Sequence, residues 1–326
     1  MTMSTRPALV AATLAAVLLG TAALARQSVW GNFTSTTPNA GNTITAAADF
    51  RAPTASASAI GKTAGGIVGQ IKKGGTYYVY ANVSDSGNPA SGVSSVTANV
   101  SSITSGSTAV ALSAGSFSAG GVSYGYRSAA LTAGSTLAAG SYSYSLTLTD
   151  VAGNSKTQTG FTVTVDNTAP TGTDVQIVNG GATAGLAEAG DKITFTYSSE
   201  IDPNSILSGW NSGSASVVVR LNNATNDTVT IYNAANTTQL PLGTVSLGRS
   251  DYTTANITFG ASGTASSMAM GGNTITITLG TQSAAATTAS ATGTMTWTPS
   301  ASATDAAGNA GSTTAVTESG AADKEF

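Results

Sequence analysis

The stretch Tyr142-Ser-Tyr144-Ser-Leu146-Thr-Leu148 alternates apolar with hydroxyl residues at every step, and Phe161-Thr-Val163-Thr-Val165 repeats the pattern shortly after. Successive side chains of an extended chain point to opposite faces, so a period of two means a strand with one apolar and one polar face. The same idiom runs through the chain. Tyr77, Val79, Ala81 and Val83 share one face, with Tyr78, Tyr80 and Asn82 on the other, and Val96, Ala98 and Val100 follow. Ile193, Phe195 and Tyr197 continue it, as do Val229 and Ile231, then Ile275, Ile277 and Leu279, then Met295 and Trp297. Val217 to Leu221 is apolar except for Arg220, which suits a strand buried on most of both faces or an edge with Arg220 projecting outward. Turn clusters such as Asp85-Ser-Gly-Asn-Pro89 and Ala119-Gly-Gly121 separate these runs. Short half-polar strands between such turns predict an all-β sandwich.

Two punctuation marks recur at domain scale. The turn Thr149-Asp150-Val151-Ala152-Gly153-Asn154 returns as Thr304-Asp305-Ala306-Ala307-Gly308-Asn309, and the junction Asp166-Asn167-Thr168-Ala169-Pro170-Thr171 is foreshadowed by Asp49-Phe50-Arg51-Ala52-Pro53-Thr54. In the turn, Asp150 can accept backbone N–H groups a few residues on, Gly153 can take a positive φ, and Asn154 tolerates the left-handed region. In the junction, Pro170 cannot donate to a ladder and so ends one module and opens the next. The recurrence predicts two tandem sandwiches, residues 53–166 and 167–326, the second carrying insertions. Within it, the Ala- and Thr-rich tract from Thr281 to Gly293 reads as a long mobile loop.

Ahead of them, residues 1–25 carry the positive charge of Arg6, an uncharged apolar run from Ala8 to Ala25 and a small-x-small ending, Ala23-Leu24-Ala25. This reads as an export signal cleaved after Ala25; an uncleaved anchor is the rival, since the run nears the roughly 18 residues that span a bilayer. No second apolar run follows and Lys324-Glu325-Phe326 is polar without a sorting motif, so the expected mature protein is secreted and has no membrane span. Residues 26–52 read as an extended segment, an edge strand or a donor strand.

The chemistry available is narrow. With no Cys and no His, the chain lacks disulfides, thiolate or imidazole metal ligands and the commonest general base, so no enzyme is expected. A net charge of −3 offers no basic face to nucleic acid. Glu188, Asp191, Glu200 and Asp202 form the one dense carboxylate cluster; Glu200 and Asp202 share a face of an extended segment, as a glycosidase pair would, but Asp202-Pro203 reads better as a strand exit into a turn. Tyr78, Tyr80, Tyr124 and Tyr126 are candidates for an aromatic platform that binds carbohydrate or a partner protein, although exposed Tyr residues are ordinary on β-proteins.

The turn and junction together, on Asp150, Gly153, Asn154, Asp166, Ala169 and Pro170, resemble bacterial Ig-like repeats of large surface and adhesin proteins. The stretch from Glu188 to Pro203 is similar to the opening of another Ig-like type found in S-layer-associated proteins, and Trp30-Gly-Asn-Phe33 through Asn42-Thr-Ile44-Thr-Ala46 resembles the N-terminus of TasA- and camelysin-like exported proteins. The first resemblance implies a secreted, non-enzymatic surface or matrix protein whose Ig-like modules act as spacers or adhesive units toward a surface protein or carbohydrate. The last implies the alternative of a fibre subunit, self-associating through the strand between Trp30 and Ala46. The adhesin resemblance further implies calcium at module ends, with Asp150, Asp166 and Asn167 as ligands if turn and junction lie at one end of the sandwich.

Overall fold

In the computed structural model, residues 49–62, 67–87 and 89–326 are described. The predicted signal at 1–25 and the donor segment with Trp30, Phe33 and Ile44 lie outside them. Ala47–Phe326 form one compact unit. Strand pairing inside it divides at the junction 166–171.

Before the junction come β1 (Thr54–Gly61), β2 (Gln70–Ile71), β3 (Thr76–Ser84), β4 (Val93–Asn99), β5 (Val110–Ala119), β6 (Val122–Ser128), β7 (Leu131–Thr132), β8 (Gly140–Asp150) and β9 (Ser155–Val165). Their order is β1-β3-β6-β5-β4-β8-β9-β2, with β7 beside β3. β5 joins the two layers, pairing through Val110 and Ala111 with β4 and through its later residues with β6, across a bulge between Ala114 and Phe117. Between the layers lie Ile60, Tyr77, Val79, Ala81, Val96, Ala98, Leu146, Leu148, Val163 and Val165, the apolar faces of the alternating runs. The exposed edge of β1 is closed by a side chain: the Gln158 amide accepts from Ala55 N (3.1 Å) and donates to Ala55 O (3.0 Å), which mimics a strand pair and blunts that edge.

After the junction come β10 (Gly172–Val178), β11 (Lys192–Tyr197), β12 (Ala215–Asn222), β13 (Thr228–Asn233), β14 (Thr244–Ser246), β15 (Ile257–Phe259), β16 (Ser266–Gly271), β17 (Thr274–Thr278), β18 (Thr296–Thr298) and β19 (Val316–Thr317). A single turn of helix, α1 (Pro203–Ile206), is capped by Asp202, whose carboxylate accepts from Asn204 N. The sheet runs β10-β11-β17-β16-β12-β13-β14-β18-β19, with β15 on β12. It curls until β18 and β19 pack back on β10, where Ser319 N donates to Asp174 and Gln176 donates to Ser319 O. β12 is central rather than an edge; Arg220 folds over the Tyr232 ring (3.6 Å) and bonds Asn236 instead of projecting outward.

Two expectations are corrected here. The tract from Thr281 to Gly293 has no named strand, yet it is pinned: Thr287 N donates to Tyr252 O, Ala289 N to Gly185 O and Ser290 N to Asp251. Tyr80 and Tyr124 form no open platform either. They are buried with Ala119 in a small cluster on the outer face of β3, bordered by Tyr78 and Phe117, and Arg127 lies over both of those bordering rings.

Trp297 holds the second core together. It is fully buried, its Nε1 donates to Leu242 O at 2.7 Å, and its ring packs on Phe195 and Tyr197. Trp297→Ala should cost about 3–5 kcal/mol by the lost burial and the cavity left behind. Calorimetry should show the second sandwich melting earlier with the first unmoved; a uniform loss in both would mean that the two cores do not unfold separately.

Candidate functional site

Six of the chain's aspartates, Asp49, Asp150, Asp191, Asp202, Asp227 and Asp305, are buried at turns and connections, and each carboxylate accepts backbone N–H groups. In Asp150 and Asp305 this builds the repeated turn. Asn154 N donates to Asp150 Oδ1 (2.7 Å) and Asn154 Nδ2 to Asp150 Oδ2 (2.7 Å), while Gly153 sits at φ 93°. Asn309 N donates to Asp305 Oδ1 (2.8 Å) and Asn309 Nδ2 to Asp305 Oδ2 (2.9 Å), with Gly308 at φ 92°. A residue with a Cβ is strained at that φ, so the glycine is required by the backbone.

Each turn also grips a junction. Asn154 Nδ2 donates to Asp49 O (3.1 Å), and Asn309 Nδ2 to Asp166 O (3.0 Å). The first clamp joins the last turn of the first sandwich to the entry of that same sandwich; the second joins a turn of the second sandwich to the residue that follows β9, at the end of the first.

This geometry corrects the metal site expected on Asp150, Asp166 and Asn167. Asp150 ends β8 and Asp166 follows β9, and the 11 residues of β9 at about 3.3 Å each set them about 35 Å apart, at opposite poles. Asp166 Oδ1 accepts from Thr168 N; Asn167 accepts from Lys73 N and donates to Leu137 O, fastening the junction to the first sandwich. The carboxylates that do meet Asp150 are Asp49 and Asp85, one oxygen of each lying within 4.8 Å of the others. Asp85 accepts from Gly92 N at 2.7 Å, and the N–H groups of Arg51 and then Ser91 hold the Asp49 carboxyl below its ordinary value.

At the junction, lysines from the first sandwich complete the seam. Lys62 Nζ lies 2.8 Å from Asp202 Oδ2 and donates to Asp305 O (2.5 Å); Lys72 Nζ donates to Gly308 O (2.6 Å). Asp202 is thus an N-cap and an ion-pair partner, and both roles compete with the glycosidase reading. Glu188 and Asp191 likewise fold onto loop amides, Glu188 accepting from Ala182 and Thr183, Asp191 from Gly180, Gly181 and Glu188. The two lysines carried no local signal in the sequence; their scarcity, 12 Lys and Arg in 326 residues, was the available hint that each has work to do.

Residues 80–167 match the family model described as a bacterial Ig-like domain. No curated protein and no solved structure matches the chain.

Removal of the Lys62 ammonium leaves the buried Asp202 carboxylate without its counter-charge, so Lys62→Met should lower stability by about 3 kcal/mol in denaturant unfolding. Asn309→Ala and Asn154→Ala should each cost about 1–3 kcal/mol, in the second and first sandwich respectively. Wild-type midpoints in all three variants would mean that the clamps contribute nothing.

Proposed function

We propose that this chain is a secreted, non-enzymatic module of the cell surface or extracellular matrix, in which two sandwiches joined by a docked seam act as a spacer. The observation that carries the reading is the seam itself: four side chains, Lys62, Lys72, Asn167 and Asn309, immobilise the junction from both sides. A flexible connection needs none of these, and a spacer needs all of them, because it transmits position only if its joints are stiff. The bacterial Ig-like match over 80–167 supports the extracellular setting, and no helix among the described residues is long and apolar enough to cross a membrane.

Calcium belongs, on this reading, at the opposite pole of the first sandwich. At the seam the poles meet through an ammonium, Lys62 against Asp202 and Asp305 O. At the far pole Asp49, Asp85 and Asp150 converge, and neither ion pair among the described residues reaches them. Oxygens so spaced suit calcium, whose contacts are about 2.3–2.6 Å, at the weak affinities of extracellular modules.

Fractionation of the host should place a tagged chain outside the cytoplasm and open to protease on intact cells, with export lost when residues 1–25 are deleted. Recovery of the full-length chain from the cytosol would contradict the proposal. For the pole, millimolar calcium should raise the melting midpoint of the first sandwich over its value in EDTA, and Asp85→Asn should abolish that rise; a rise that survives the substitution rules this pole out.

A further inference from the structure

The segment after β19 reads from sequence as a polar tail, but it turns back into the second sandwich. Glu325 and Phe326 are buried, Phe326 lying edge-on to Tyr252 and its carbonyl accepting from Gly185 N. Asp323 O accepts from Gly293 N, Glu325 N donates to Tyr252 Oη at 2.8 Å, and Glu318 Oε1 accepts from Met295 N at 2.8 Å. The backbone of this segment is well satisfied.

One side chain is not. Glu325 is 1 % exposed, and neither of its carboxylate oxygens has a hydrogen-bond partner. It lies with the Glu318 and Asp323 carboxylates, one oxygen of each within 4.8 Å of the others. Among the described residues no ion pair reaches them: Arg249 is committed to Asp251 and Ser290, the neighbouring Lys324 is exposed and forms none, and the charges that Glu325 feels, those of Glu318 and Asp323, are both negative. Burial first, then those two neighbours, push its carboxyl up to about 9. A buried carboxylate without a donor or counter-charge costs several kcal/mol. A proton on Glu325, shared with Glu318, would remove one charge and still leave two carboxylates against each other.

We propose that Glu318, Asp323 and Glu325 form a divalent-cation site of the calcium class, which fastens the segment 318–326 onto the second sandwich. Carboxylate oxygens within 4.8 Å of one another lie near the spacing of ligands around one calcium ion, whose contacts are about 2.3–2.6 Å, so small side-chain rotations bring all three groups onto one ion. The donors are hard oxygens only, which suits calcium, magnesium or manganese rather than the softer metals that prefer nitrogen or sulfur. Asp323 is exposed and gives the ion its entry from solvent, while Glu325 forms the closed floor. The site is separate from the Asp49 pole and does not depend on it.

The test uses the full chain carrying Asp85→Asn, so that a calcium response at the other pole is silent. Millimolar calcium should raise the melting midpoint of the second sandwich by about 3–8 °C over EDTA, the size expected for a site with Kd near 10⁻⁴–10⁻³ M. Glu325→Gln should remove that rise, while its midpoint in EDTA equals or exceeds that of the parent because a neutral amide replaces a buried acid. Should Glu325→Gln fail to fold, manganese added to the Asp85→Asn chain supplies the answer, by selectively broadening the Met295 methyl and Phe326 ring resonances. No calcium rise, a rise that survives Glu325→Gln, or manganese that leaves those resonances sharp would each overturn the site and leave a proton-sharing acid cluster in its place.

Discussion

The bond from an Asn side chain to a junction carbonyl, Asn309 Nδ2 to Asp166 O, is the contact on which the arrangement of the two sandwiches depends. It exists only because Asp305 fixes the Asn309 backbone and amide through both carboxylate oxygens, and because Gly308 supplies the φ that lets the turn close. Lys62 and Lys72 then dock on carbonyls that this turn presents, Asp305 O and Gly308 O. Without the turn, Lys72 loses the carbonyl it docks on, Lys62 keeps only Asp202, and the junction has no fixed end.

A chain with 8% charged residues uses its carboxylates unusually. The described residues contain only two ion pairs, the largely buried Lys62–Asp202 and the part-exposed Arg249–Asp251, and an exposed pair contributes little. Most of the buried aspartates instead neutralise backbone N–H groups in long connections, where a loop would otherwise leave donors unsatisfied. Asp227 shows the pattern: it accepts from Ala224, Tyr252 and Thr253 and so ties two loops together. Glu325 is the exception, a buried carboxylate with no donor, and that contrast is what marks it.

Much of the fold was legible because alternation is a local signal. The faces of β8, β9, β11 and β17 follow directly from it. The turn chemistry at Asp150 and Asp305 was legible for the same reason. What it grips was not, since the partner of Asn154 lies 105 residues away at Asp49, and nearness in sequence pointed instead to Asp166. Multiplying the length of β9 by its rise would have separated Asp150 from Asp166 in advance. Tyr80 misled for a different reason: period two places it on the outer face correctly, but a second cluster covers that face, which alternation cannot report. Glu325 gave no signal at all, because an acidic residue in a polar-looking stretch is by default solvated.

The central claim is that the seam makes the two sandwiches one rigid body. Residual dipolar couplings of backbone amides in a weakly aligned sample test it most directly, by giving an alignment tensor for 54–165 and another for 172–317. The account requires a single tensor, equal in magnitude and orientation for both sandwiches. Two tensors of clearly different magnitude would show the sandwiches reorienting independently and would contradict it.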